Sequence, residues 1–369
     1  TTMSLRVILR ILGLLLMLFS LTMLPPTLIS LWFRDGVWSA FISGIAISVV
    51  TGLLLYLPNR RSQKELRIRD GFIIAAMFWT VLALFGSLPL MLFGEGSLGV
   101  TDAVFESFSG LTTTGATVIT GIDFLPESIL YYRQQLQWLG GMGIVVLAVA
   151  ILPTLGVGGM ALYRTEIPGP LKDSKLTPRI TETAKALWYI YATLTLACMI
   201  AYMLAGMSWF DALSHSFSTV AIGGFSTHDA SIGYFDSATI EMICVGFMLI
   251  SAFSFSLHFI AWREKSLMHY FHDPEARFLM LFLLALSVVT VLSLWLTDTY
   301  DTARGLRHGV FQVVSVATTA GFSVADFSMW PGALPFLLFV AAFVGGCSGS
   351  TGGGMKVIRI ILILKPGMR

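Results

Sequence analysis

The chain has 369 residues, of which 56% are hydrophobic and only 12% charged, with a mean hydropathy of +0.81. A soluble domain carries about 25% charge, so a water-soluble globular class is excluded and lipid is the expected solvent for most of the chain. The net charge of +2 is uninformative as a total, but its distribution is not.

A helix needs about 20 apolar residues to cross the hydrocarbon core. Runs of that kind cover 11–33, 37–58, 72–93, 134–157, 186–206, 240–262, 278–297 and 333–363. The first follows Arg6 and Arg10 and is longer than a signal-peptide core of about 7–15 residues, so it reads as a transmembrane helix. Pro25-Pro26 should kink it, because proline removes a helical N–H. Arg34-Asp35-Gly36 turns into the second run, and residues 1–68 form a leading transmembrane hairpin.

Behind the hairpin the sequence repeats. Thr112-Thr113-Thr114-Gly115-Ala116, Ala221-Ile222-Gly223-Gly224-Phe225 and Thr318-Thr319-Ala320-Gly321-Phe322 are short glycine-bearing segments, their glycines spaced 109 and 97 residues apart. Asp102-Ala103 and Asp211-Ala212 each stand 13 positions before their glycines. Ser107-Phe108-Ser109 returns as Ser216-Phe217-Ser218, and Phe311 and Ser315 hold the register of Phe105 and Ser109. Each copy reads as helix, short amphipathic segment, glycine loop, helix. The copies occupy 69–180, 181–273 and 274–369, and the fold class is an all-α polytopic membrane protein.

Charge gives an orientation. With the N-terminus inside, the inner segments 1–10, 59–70, 158–185, 263–277 and 356–369 hold 2, 5, 5, 3 and 4 of the 23 Lys and Arg, leaving Arg34, Arg133, Arg304 and Arg307 outside. Cytoplasmic segments carry such an excess. The alternation then requires every glycine loop to enter and leave from the outside. The outer segments hold 13 of the 21 acids, among them Asp102, Glu106, Asp123, Asp211, Asp229, Asp236, Asp298, Asp301 and Asp326. An acidic outer face concentrates cations at a mouth; the alternative reading is that these are only solvated loop charges.

Re-entrant loops of this kind can strip water from a monovalent cation, because several backbone carbonyls replace its hydration shell without adding a full charge. On that reading Thr113, Thr114, Gly115, Ile222, Gly223, Gly224, Thr319, Ala320 and Gly321 bind the ion, with glycine supplying the bend. The short segment before each loop, a half-helix descending from outside, would aim its negative dipole end at the cavity.

A second stretch, Gly345-Gly346-Cys347-Ser348-Gly349-Ser350-Thr351-Gly352-Gly353-Gly354, interrupts the last apolar run; six of its ten residues are glycine. Each glycine weakens helix by about 1 kcal/mol, and unwound backbone at membrane depth survives only against protein or a wet cavity. It is expected beneath the filter. His269-x-x-His272-Asp273 has helical metal spacing without a further ligand nearby, and Cys198, Cys244 and Cys347 read as small buried side chains. A competing class is an intramembrane serine hydrolase using Ser348 or Ser350 with His258; a non-transporting membrane scaffold is another. Both leave the threefold loop unexplained.

The three loops resemble the filter sequences of the Trk/Ktr/HKT superfamily of potassium transporters, and the leading hairpin is most similar to its bacterial TrkH branch. The resemblance implies potassium-channel-like helix–pore-loop–helix repeats in a pseudo-fourfold ring, potassium as substrate, no cofactor in the chain and no enzymatic activity. It also implies a homodimer in the bacterial inner membrane, with the N-terminus cytosolic and lipid around it. Gly345, Gly346, Ser348, Gly349, Ser350, Thr351, Gly352, Gly353 and Gly354 would be an intramembrane gating loop. A cytosolic TrkA-like ring that binds NAD or ATP would bias it, and no nucleic-acid partner is expected. Three repeats do not close a fourfold ring, so a fourth is expected in addition to these 369 residues.

Overall fold

The computed structural model describes residues 5–61, 68–143 and 180–364, and all regular structure among them is helical. The chain divides into two compact units, one of Thr1–Thr112 with Ala116–Lys185, the other of Thr113–Gly115 with Ala186–Arg369. The leading hairpin and the body of the first repeat thus share one unit, and the second and third repeats share the other.

In the first unit, α1 (Leu5–Leu21) lies against α3 (Trp38–Tyr56), and Ile8, Leu16 and Phe41 are buried. The break expected from the proline pair falls at Thr22-Met23, because Pro25 and Pro26 sit in the first turn of α2 (Leu24–Phe33), where no intrahelical N–H is needed. The carboxylate of Asp35 accepts hydrogen bonds from Ser30 Oγ, Val37 N (3.1 Å) and Ser128 N (3.0 Å), tying the hairpin turn to the start of α7 (Glu127–Trp138). The run 72–93 becomes two helices, α4 (Ile68–Gly86) and α5 (Leu88–Leu92). Tyr132 on α7 is fully buried; its hydroxyl donates to Gly86 O at 2.8 Å and its ring meets Phe41 edge-on. α6 (Val100–Leu111) packs between α4 and α7. The run expected at 134–157 starts earlier, at Glu127, and its residues 144–157 lie outside the described ones.

The second unit holds α8 (Ile180–Leu204) from Ala186 onward, α9 (Trp209–Ala221) and α10 (Ala238–Ala252). They are followed by α11 (Phe255–Glu264), α12 (Met268–His272), α13 (Pro274–Leu296), α14 (Thr302–Ala317), α15 (Leu334–Ala341) and α16 (Val357–Leu364). Side chains at the N-caps fix the starts: Ser208 accepts from Asp211 N, Asp273 from Ala276 N and Asp301 from Arg304 N.

The run expected at 240–262 is not one continuous helix, since α10 and α11 meet at 92°, as in a broken span or a re-entrant loop. The bend is held by the glycine-rich stretch: Cys347 N donates to Ala252 O at 2.8 Å, and Phe255 N donates to Gly349 O at 3.0 Å. Backbone groups released by the break are thereby paired, as a lipid setting demands. Among the described residues four helices are long and apolar enough to cross a membrane, or five if the bent pair counts as one.

Candidate functional site

The three glycine loops begin where α6, α9 and α14 end, helices of 12, 13 and 16 residues, too short to span. Their backbones share one unusual pattern. Two positions before each glycine, Thr113, Ile222 and Thr319 are left-handed with φ of 54°, 54° and 70°. Gly115, Gly224 and Gly321 follow at 74°, 82° and 84°, while Thr114, Gly223 and Ala320 between them are not left-handed. A left-handed residue, one that is not, and a left-handed glycine therefore follow one another at the same register in each loop. A β-branched residue at positive φ costs on the order of 1–3 kcal/mol, and here it recurs at one register in three copies.

Hydrogen bonds fasten the loops to their helices. Gly223 N donates to Ser218 O at 2.8 Å, and Ala320 N to Ser315 O at 2.8 Å. Ser109 Oγ donates to Ala116 O at 2.5 Å and Ser315 Oγ to Phe322 O at 2.6 Å, the same link in the same register. The second and third loops also touch: a Cβ placed on Gly224 would lie 2.0 Å from the carbonyl oxygen of Ala320.

Charge around the loops departs from a solvated acidic rim. Asp102, Asp123, Asp229, Asp236, Asp298, Asp301 and Asp326 are exposed as expected. Glu106 is not: it is fully buried and pairs with the equally buried Arg133 at 2.7 Å. Water cannot solvate a carboxylate at that place, so the charge is balanced by the guanidinium and by Thr117 Oγ1 at 2.9 Å. Glu241, likewise buried, takes two bonds from Arg307, which also reaches Asp236 at 3.0 Å. Arg133 and Arg307, two of the exceptions to the inside bias, are thus ion-pair partners, the first fully buried and the second partly exposed. Asp211, in the first turn of α9, is half-buried, which would raise its carboxyl pKa; bonds with His228, Thr227 and Ser208 outweigh this and hold it at about 2.

Replacing Arg133 by leucine leaves Glu106 charged and unpaired in the core, and removing one partner of a buried pair costs about 3–5 kcal/mol. A thermal melt of the detergent-purified Arg133→Leu variant is expected to fall well below wild type. The double variant Glu106→Gln/Arg133→Leu should recover most of the loss.

The glycine-rich stretch is unwound from Ala342 to Lys356 and laced to its surroundings. Ser348 N donates to Glu275 Oε2 at 2.7 Å, Thr351 Oγ1 to Val220 O at 2.9 Å, and Gly353 N to Thr319 Oγ1 at 2.7 Å. The last two bonds join this stretch to the last turn of α9 and to the third loop. Lys356 Nζ folds back to donate to Ser350 O at 3.3 Å and to Gly352 O. Gly345 (φ 69°) approaches Gly353 so closely that a Cβ would sit 2.1 Å from the carbonyl oxygen. Thus Thr319 and Ala320 are brought together with Ile222, Gly223 and Gly224 and with Thr351 to Gly353, and Thr113–Gly115 count in the same compact unit.

Sequence reasoning misses the left-handed threonines and isoleucine, since β-branched residues give no signal for positive φ. It also misses Glu106 and Arg133 as a pair; nothing in a charge tally separates a buried acid from an exposed one.

A family model described as TrkH, a cation transport protein, matches residues 38–369. The chain is 82% identical over 367 residues to the Trk system potassium uptake protein TrkH of Halomonas elongata, an alignment covering 100% of this chain and 76% of that protein. It is 55% identical over 368 residues to the protein of the same name from Escherichia coli K12, with coverage of 100% and 76%. The crystal structure of the potassium transporter TrkH from Vibrio parahaemolyticus is similar with a TM-score of 0.89 at 53% identity, over 100% of this chain and 76% of that one. With its three glycine loops and a family match over nearly its whole length, the chain belongs to the TrkH family of cation transport proteins.

Proposed function

We propose that the chain carries potassium into the cell through a path lined by the carbonyls of Thr113, Thr114, Ile222, Gly223, Thr319 and Ala320. The alternation of left-handed and ordinary backbone at one register in all three loops is the observation that carries this reading. Relatives named as potassium uptake proteins support the choice of ion. In the same reading Gly345 to Gly354 is the gate, the assembly is a homodimer in the bacterial inner membrane with the N-terminus in the cytosol, and a TrkA-like nucleotide-binding ring biases the gate. The geometry gives the hydrolase alternative no support, because its one candidate base, His258, is turned to other partners. Both ring nitrogens of His258 are engaged, with Tyr270 OH at 2.7 Å and Ile250 O at 2.8 Å, and Ser350 Oγ donates to Cys347 O.

Rubidium should enter proteoliposomes containing the full-length transporter and be competed by potassium far better than by sodium. Equal competition by sodium would sink the potassium assignment. The orientation has its own check: in intact cells a cysteine at Asp229 should react with an impermeant thiol reagent, and one at Lys265 only after the membrane is opened. Both positions are exposed, so burial would not explain a failure to react.

A further inference from the structure

Each helix leading into a loop carries one large, fully buried polar side chain nine residues before the loop glycine: Glu106 before Gly115, His215 before Gly224 and Gln312 before Gly321. All three reach across to the chain two or three residues past the same glycine. Glu106 accepts from Val118 N at 3.3 Å and from Thr117 Oγ1. The Nε2 of His215 bonds Ser226 Oγ at 2.9 Å, and Ser226 Oγ in turn accepts from His228 N at 3.1 Å. Gln312 Oε1 accepts from Val324 N at 3.0 Å.

Three different chemistries, a carboxylate, an imidazole and an amide, therefore do one mechanical job. Gln312 shows which atom matters. Its Nε2 is buried with no protein partner, so the side chain is held for its acceptor. A buried donor without a partner is costly, and a leucine of similar size would avoid that cost if packing were all the position needed. Ser109 and Ser315 already tie the first and third loops one residue past the glycine. The three large polar residues hold the chain one or two positions further out, where slack would let the exit segment drift and widen the space between carbonyls. We propose that Glu106, His215 and Gln312 are positioning residues that fix the spacing of the filter carbonyls from behind and so set the discrimination between potassium and sodium. The inference rests on the reading of the loops as a filter.

The test uses the full-length transporter in proteoliposomes and reads rubidium and sodium uptake in parallel. Loss of a buried hydrogen bond is worth on the order of 1 kcal/mol, so His215→Leu and Gln312→Leu should each lower the rubidium-to-sodium ratio by roughly five- to tenfold, with sodium uptake kept or raised. Exchanging the repeats' own solutions, His215→Gln and Gln312→His, should hold the ratio within about twofold of wild type. Leucine variants that insert and keep the wild-type ratio would overturn the proposal, as would exchange variants that fall as far as the leucine ones. Should His215→Leu fail to insert, Ser226→Ala removes the partner instead and is judged by the same ratio. If wild type itself does not favour rubidium, the filter reading fails rather than this inference.

Discussion

Gly224→Ser is expected to lower potassium-over-sodium selectivity more than any other single change in the loops, and clearly more than Gly321→Ser. Both glycines are left-handed, at 82° and 84°, and a residue with a Cβ loses about 1–2 kcal/mol in that region. The surroundings separate them. A Cβ on Gly224 would stand 2.0 Å from Ala320 O, whereas one on Gly321 meets nothing within 4 Å. Serine at Gly224 must therefore displace a carbonyl that the proposal assigns to the ion, while serine at Gly321 only strains its own backbone. Rubidium and sodium uptake by the two variants, measured side by side, decide the matter. Equal ratios in the two, or a wild-type ratio in an inserted Gly224→Ser protein, would show that Ala320 O does not face the ion.

Deleting Ser348 to Gly352 should give the second large effect, a rise in basal flux with weaker dependence on the cytosolic regulator. The deletion removes the bond to Glu275, the Gly349 carbonyl that pairs Phe255 N at the bend, the Thr351 bond to Val220 O and the carbonyls that hold Lys356. The Lys356 bonds close the stretch on itself, and the others link it to the second repeat and to α13. None is an apolar core contact, so the helices around the stretch should still insert. An intramembrane segment held by a few separate bonds can take a second position at modest cost, which is what a partner needs in order to bias it. Lys356→Met, which frees only the side-chain clasp, should raise flux less. The gate assignment fails if the deletion protein inserts and conducts at the wild-type rate with regulation unchanged.

Much of this architecture is legible in the sequence, because apolar length and glycine register both leave direct marks. The hairpin, the three loops and the unwound stretch before Lys356 all come from such marks. The 92° bend between α10 and α11 does not, since Phe253-Ser254 contains neither glycine nor proline and the bend is paired by residues about a hundred positions away. Glu106 reads as a solvated acid for a related reason: its partner Arg133 lies 27 residues on, beyond any helical spacing. His215 and Gln312 are within reach of the repeat register once it is extended back to nine residues before the glycine, where a large polar residue recurs in all three amphipathic helices. What those residues touch depends on the chain beyond each loop, and only the structure supplies that.

The lacing of the glycine-rich stretch also has a consequence for biosynthesis. Thr351 closes on Val220 across 131 residues, and Gly353 closes on Thr319 across 34. At a synthesis rate of about 5–20 residues per second, the ribosome needs on the order of ten seconds to travel from Val220 to Thr351. Throughout that interval the carbonyl of Val220 is already made and its final hydrogen-bond donor is not. The second repeat must therefore enter the bilayer with part of its backbone provisionally paired to water or to the insertion machinery. Its loop reaches its final form only after the third repeat has been delivered, so nascent chains stalled before Thr351 should hold this loop open to water.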